Sequence, residues 1–530
     1  MITGRYLREG IPGALFVALL LLTPVFVPGI NAAHDPATLI WPEDLRYIGA
    51  FRVPQGAGEE YGWNYGGGGL AYCPAGDSAG PDDGYPGSLF GVGHDTRNEV
   101  CEISIPVPKK SPEKVPSLLN TAGFLQPFTS ITSGVFAPSE DGAPLHMDLE
   151  YIPARGSQKS PKIYIVWGEH MQFEQACSHA WSETVLSVPR TKGPWRIGNY
   201  PNFVTSDYLF SLPDAWADAH TGGLSLVTGR FRDGSLGGSG PALLAIGPWL
   251  EGNPPQRGAT LRKIVPLLMY EKGYEGSRRV MAGFTNADEW SGGTWLSSGN
   301  RSAVAFVGTK GRGRWWYGFS NGIVWPDNPP YPPIPPPPND DRGWWASGFV
   351  TAIAFYDPAD LAAAASRKIQ PCQPQPYAEL VIDRHLYDVS WAKEKRRIGG
   401  AAFDPGRRIL YIAEFRGDGD RPLIHAWKIR AGPSTHSNPS VAGISPSYGR
   451  SGTTTAIWNL AGACFTPGAQ VTLSKRGESP VAASAVQVVS GGRIRCRISI
   501  PVNTARGLWD VAVRNPDGSN GTILKAFFVM

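Results

Sequence analysis

A short pattern recurs along this chain and limits what it can fold into. Gly68-Gly69-Leu70-Ala71-Tyr72-Cys73-Pro74 is followed by an apolar run over 88–93 and an alternating one over 100–106. The same order returns as Gly399-Gly400-Ala401-Ala402-Phe403-Asp404-Pro405, followed by runs over 408–414 and 423–429. Between them, Gly292-Gly293-Thr294-Trp295-Leu296 leads into runs over 303–308 and 314–318, and Gly222-Gly223-Leu224-Ser225-Leu226-Val227 leads into 241–246. A looser unit has apolar runs over 134–136, 149–152, 162–167 and 184–188. A glycine pair, a strand, a turn and further strands make one antiparallel sheet, and repeated sheets of this kind build a radial array. The expectation is an all-β fold: a five-bladed β-propeller over 45–430, its first blade opened by residues 47–53, followed by a small immunoglobulin-like β-sandwich.

Composition agrees. Gly contributes 65 and Pro 49 of the 530 residues, about a fifth against the usual ~12%. Disorder would explain that excess, but 18 Trp, 19 Tyr and 21 Phe belong to a chain that buries apolar surface. Each repeat takes roughly 80 residues where a compact blade needs ~40–45, so the surplus goes to long loops on the faces of the disc. The proline-rich run 328–339 is expected to be a stiff polyproline II crossover. Short helices are predicted over 213–220 and from Asp357 (N-cap) and Pro358 (first turn) onward. The polar, strandless run 431–440 reads as a linker, and 441–530 as the sandwich.

Arg5 and Arg8 precede an uncharged, largely apolar stretch ending near Ala32-Ala33, the layout of an export signal over 1–33. A retained anchor is the rival, disfavoured by Pro12, Pro24 and Pro28. The expectation is a protein secreted or held at the cell surface, in a bacterial periplasmic or extracellular setting, with no stable membrane span after cleavage. A net charge of +4, with both signs dispersed, leaves no nucleic-acid footprint. In an oxidising compartment the six cysteines can pair, and position within the proposed sheets suggests Cys73 with Cys101 and Cys464 with Cys496, leaving Cys177 and Cys372.

The last domain carries Ile444-Ser445-Pro446-Ser447-Tyr448-Gly449, Ser451-Gly452-Thr453-Thr454, Gly462-Ala463-Cys464-Phe465 and Val513-Arg514-Asn515-Pro516-Asp517-Gly518. With these it resembles the IPT/TIG module nearly end to end, departing where Gly452 stands alone instead of a double glycine. The resemblance implies a spacer or interaction domain and no catalysis. Asp288-Glu289-Trp290-Ser291-Gly292-Gly293, Val307-Gly308-Thr309-Lys310-Gly311 and Phe355-Tyr356-Asp357-Pro358 make residues 45–430 similar to an uncharacterised family of secreted bacterial β-propeller proteins, a likeness that implies no activity.

Polar residues follow an apolar run in four of the units: His94-Asp95, Glu169-His170, Thr309-Lys310 and Glu414 with Arg416. Equivalent strand ends of a radial fold share one face, so these residues are expected to form a ring there. Two carboxylates flanking a scissile bond are what glycoside hydrolysis requires. Asp95, Glu169 and Glu414 are therefore the catalytic candidates, with Glu289 as a further carboxylate. His94, His170, Lys310 and Arg416 are ligand-binding candidates, and Trp63 and Trp345 could stack on sugar rings. The bland reading is that these residues end strands and pack between blades. The predicted function is binding, or hydrolysis, of a polysaccharide or surface glycan; the alternative is a non-enzymatic surface or matrix interaction protein. No cofactor or metal site is called for. Calcium suits the oxygen-rich loops at Asp77 with Asp82-Asp83 and at Asp418 with Asp420, which otherwise read as plain turns. No phosphate-binding loop is present in the sequence.

Overall fold

The computed structural model describes residues 34–530 apart from 59, 78–79, 81–83, 133, 137–144, 170–173, 231–236, 253, 274–278 and 389–396. The predicted export signal over 1–33 thus lies outside the described residues. After β1 (Leu45–Arg52), the first blade is β2 (Leu70–Cys73), β3 (Gly84–Val92), β4 (Val100–Pro106) and β5 (Phe124–Thr129). The second is β6 (Leu145–Ile152), β7 (Lys162–Glu169), β8 (His179–Ser182) and β9 (Lys192–Ile197). The third is β10 (Tyr208–Ser211), β11 (Leu226–Gly229) and β12 (Ala242–Ile246). Next, β13 (Thr260–Leu261) adds in parallel to β9, and β14 (Val265–Met269) completes blade three. The fourth is β15 (Glu289–Ser298), β16 (Arg301–Gly318), β17 (Gly343–Tyr356) and β18 (Ala378–Val381). The fifth is β19 (Ile398–Asp404), β20 (Ile409–Asp418) and β21 (Arg421–Ile429), with β1 as its outer strand.

The five innermost strands, β2, β6, β10, β15 and β19, touch in cyclic order around a central shaft. Close approach there explains the recurring glycines. A Cβ on Gly69 would sit 2.7 Å from the Asp148 Cα, and one on Gly400 would sit 2.6 Å from the Leu70 nitrogen. Neither fits. In blade three the pair Gly222-Gly223 instead precedes the second strand, not the innermost one.

Apolar clusters lie between successive blades: one and two (Phe90, Met147, Ile165), two and three (Tyr164, Leu226), three and four (Phe210, Phe306), four and five (Phe355, Ile412), and five and one (Leu89, Tyr411). Each blade therefore buries both faces, which is why the runs read as continuously apolar. Asp148 adds a polar clamp, its carboxylate accepting from Leu70 N, Leu149 N and Leu209 N and so tying three blades together.

Ring closure corrects the expected order. Residues 45–52 do not open blade one; they pair antiparallel with β21 and complete blade five. β14 is the outer strand of blade three, and β17 lies within blade four between β16 and β18. The helix of Pro358–Ala365 is capped as predicted, with the Asp357 carboxylate accepting from Ala359 N at 2.8 Å. The proline-rich run joins β16 to β17, whose ladder extends to Gly318 and Gly343, and Tyr331 within it stacks on Trp325 at 4.9 Å.

Beyond the propeller, β22 (Ser440–Ser445), β23 (Tyr448–Gly449), β24 (Thr454–Ala463), β25 (Gln470–Ser474), β26 (Val481–Ser490), β27 (Arg493–Ser499), β28 (Gly507–Arg514) and β29 (Asn520–Val529) make one immunoglobulin-like sheet. The consecutive strands β22 and β23 lie at its two ends, so it nearly closes around Trp509, Phe527 and Leu473. It packs on β16 through β28 and β29, and Gly283 N donates to Ser445 Oγ at 2.9 Å. His436, in the stretch leading to it, stacks on Trp41 at 3.5 Å. Among the described residues no helix is long and apolar enough to cross a membrane.

Candidate functional site

The second strand of each blade runs antiparallel to the innermost one, so its far end returns to the face where the innermost strands begin. On that face Tyr65, Gly68, Asp95, Asn98, His146, Asp388, Arg397, Glu414 and Arg416 line a cleft of about 190 Å³ between blades five, one and two. Three expected residues, Asp95, Glu414 and Arg416, meet there. Asp95 is half-buried, 3.2 Å from His94 Nδ1. Arg416 lies over the Tyr65 ring at 4.8 Å, and His94 meets the same ring edge-on at 5.5 Å. Tyr65 (φ 55°), Asn98 (φ 49°) and Arg416 (φ 56°) all hold left-handed backbone in this one cleft. For Tyr and Arg that conformation is costly, and such strain concentrates where side chains must be aimed.

Glu414 is only 1% exposed. Its carboxylate accepts from Tyr387 N at 2.7 and 2.9 Å, from Asp388 N at 2.8 Å and from His425 Nε2 at 2.7 Å. With Nε2 donating, His425 Nδ1 accepts from the Tyr47 hydroxyl at 3.0 Å. Burial, with the neighbouring Tyr387 and Glu414, holds the Tyr47 hydroxyl well above the usual phenol range. This chain runs from the cleft through blade five to its outer strand and fixes the position of Glu414.

The remaining expected residues do not join the cleft. Glu169 ends β7 opposite Leu145 and does not line it. His170 lies outside the described residues. Lys310 is not at a strand end, because β16 continues to Gly318. The Lys310 ammonium is buried, 2.6 Å from Asp288 and donating to the Gly283 carbonyl. Burial lowers its pKa, against the pull of Asp288. Glu289 is buried at the start of β15. Trp63 is fully buried against Phe128, and Trp345 is 7% exposed, its Nε1 donating to the Asp341 carbonyl. Packing holds both rings, and neither lines the cleft. Tyr65, two residues after Trp63, and Phe415 are aromatic rings that do line the cleft.

The expected disulfides are also corrected. Cys73 and Cys101 are thiols on β2 and β4, which β3 separates. Cys496 sits opposite Ile457, while Cys464 follows the far end of β24. Cys177 and Cys372 are thiols as well. Burial pushes the Cys496 thiol up to about 12. Among the described residues no group of three or more His, Cys, Asp or Glu side chains is placed to hold a metal ion. Asp77 is buried, and Asp418 instead pairs with Arg52 and Arg421 at 2.8 and 2.9 Å; Asp82 and Asp83 lie outside the described residues.

A second concavity was missed entirely. At the opposite mouth of the shaft, Tyr72, Glu150, Ser211, Thr294, Trp295, Ser297 and Phe403, contributed by all five innermost strands, line a cavity of about 340 Å³. Burial raises the Glu150 carboxyl to about 7, against hydrogen bonds from Ser211 N and Oγ that lower it. The legible signal was His146, Asp148 and Glu150 alternating with apolar residues along one strand, which places all three on one side of it.

No family model matches the sequence, and no curated protein matches it. Among solved structures, a γ-CGTase from Alkalophilic bacillus clarkii aligns at 19% identity over 22% of this chain and 17% of that one, with a TM-score of 0.14. The full extracellular region of plexin A4 aligns at 9% identity over 87% of this chain, with a TM-score of 0.25. This chain spans 42% of the plexin chain's length. Neither likeness carries an argument about this protein.

Proposed function

We propose that this is an exported glycan-binding propeller whose site is the cleft between blades five, one and two. The observation that carries the reading is the convergence of Tyr65 and Arg416, both on strained backbone, with Asp95 and the fixed carboxylate of Glu414. An aromatic ring flanked by carboxylate and guanidinium groups matches a sugar's apolar ring face and its hydroxyls. At about 190 Å³ the cleft is smaller than the ~300–1,000 Å³ pocket of a drug-sized ligand, which suits one terminal unit of a chain. Binding is favoured over hydrolysis because three donors, Tyr387 N, Asp388 N and His425 Nε2, already engage the buried Glu414 carboxylate and make it part of the scaffold.

The sandwich, with its likeness to IPT/TIG modules, serves in this reading as a spacer or surface-docking domain. The apolar N-terminal stretch acts as the export signal. The test is a glycan array probed with the full chain, followed by hydrolysis assays on every glycan bound. Binding that Tyr65→Ala and Asp95→Asn abolish, without turnover, is the expected result. Turnover would replace the binding reading with an enzymatic one, and silence on both would leave the non-enzymatic interaction protein.

A further inference from the structure

The cavity at the other mouth of the shaft has a chemistry of its own. Three aromatic side chains line it, Tyr72 from β2, Trp295 from β15 and Phe403 from β19. Glu150 enters from β6. One of its oxygens, Oε1, accepts from Ser211 N and Ser211 Oγ, while Oε2 accepts no hydrogen bond among the described residues and is not sealed from solvent. Arg155, the lining cation, is neutralised: its guanidinium pairs with Asp214 and rests on the Trp249 ring at 4.9 Å. Deeper on the same strand, Asp148 is spent on three backbone N–H groups. On β19, Asp404 faces Arg407 at 3.4 Å. The cavity therefore presents one uncompensated acidic oxygen among aromatic rings.

Aromatic faces and a carboxylate attract the same ligand, a desolvated organic cation, through the ring quadrupole and direct charge. A neutral sugar would use the hydroxyls of Ser211, Thr294 and Ser297 but would leave the acidic oxygen without a charge partner. We propose that this mouth of the shaft binds an organic ammonium ion, with Glu150 as its counter-ion and Tyr72, Trp295 and Phe403 as its aromatic wall. The site is separate from the glycan cleft and does not depend on that reading.

Isothermal titration of the full chain with choline, and with its uncharged carbon isostere dimethylbutanol, tests the assignment. Choline is expected to bind at least tenfold more tightly than the isostere. Glu150→Gln should remove most of that preference, and Phe403→Leu, which keeps apolar volume but removes a ring, should weaken choline severalfold. Choline affinity should also rise between about pH 6 and pH 8, as the carboxyl ionises. Thermal melts of both variants establish that they fold. Equal affinity for the isostere, choline binding indifferent to Glu150→Gln in a folded variant, or no choline binding at all overturns the proposal.

Discussion

The two mouths of the shaft each hold a glutamate, and the protein treats them oppositely. Glu414 is surrounded by donors: two backbone N–H groups and an imidazole whose other nitrogen is itself satisfied by Tyr47. Glu150 has a serine on one oxygen and none of the described residues on the other. Burial costs both carboxylates hydration; Glu414 recovers it through donors on both oxygens, Glu150 on one oxygen alone. The first is part of the scaffold, and the second is poised. Position near a cavity does not separate them; the count of donors aimed at the carboxylate does.

Removing the scaffold carboxylate should have the largest effect. Glu414→Ala leaves Tyr387 N, Asp388 N and His425 Nε2 without an acceptor in a buried setting, a loss of about 3–5 kcal/mol of unfolding free energy. Urea titration reads it directly. A loss below about 1 kcal/mol would mean that water replaces those bonds and that Glu414 is not scaffold after all.

The poised carboxylate should respond with the opposite sign. Its folded pKa, about 7, stands above the ordinary 4.5, so the native state binds the extra proton between those values. Stability from this group is present in acid and is lost as pH rises through about 7. Glu150→Gln cannot ionise. It should match the parent near pH 5 and exceed it by about 1–2 kcal/mol near pH 8, once solvent in the cavity is allowed for. Paired thermal melts at the two pH values check this. A variant less stable at both would place Glu150 with Glu414.

The same contrast separates what could be read in the sequence from what could not. Gly69 and the pair Gly399-Gly400 were legible because crowding at the axis forbids a Cβ, a local demand that leaves a local mark. Strand runs buried on both faces were legible as apolar runs. Ring closure was not, since residues 45–52 look like any strand and their partner is nearly four hundred positions away. Strand length misled as well: Lys310 looked like a strand end because Gly308 and Gly311 break the apolar run, yet β16 passes through them. Asp95, Glu414 and Arg416 were found because they follow apolar runs. Whether such a carboxylate is satisfied depends on loops such as the one holding Tyr387, which no pattern near Glu414 announces.

The smallest expected effect on stability is the one most informative about the cleft. Trp63 and Tyr65 are two residues apart, yet the first is fully buried and the second is 41% exposed. Tyr65→Ala removes a ring that touches Arg416 and His94 but fills no core. It also leaves an alanine at φ 55°, a conformation no better suited to Ala than to Tyr. The stability change should stay within about 0.5 kcal/mol. Glycan affinity should fall tenfold or more, because the aromatic platform for the sugar face is gone. Trp63→Ala, by contrast, opens a cavity beside Phe128 and should cost about 3–5 kcal/mol. Loss of stability without loss of binding in Tyr65→Ala would make Tyr65 a packing residue like Trp63, and the cleft would then have no aromatic contact for a ligand but Phe415.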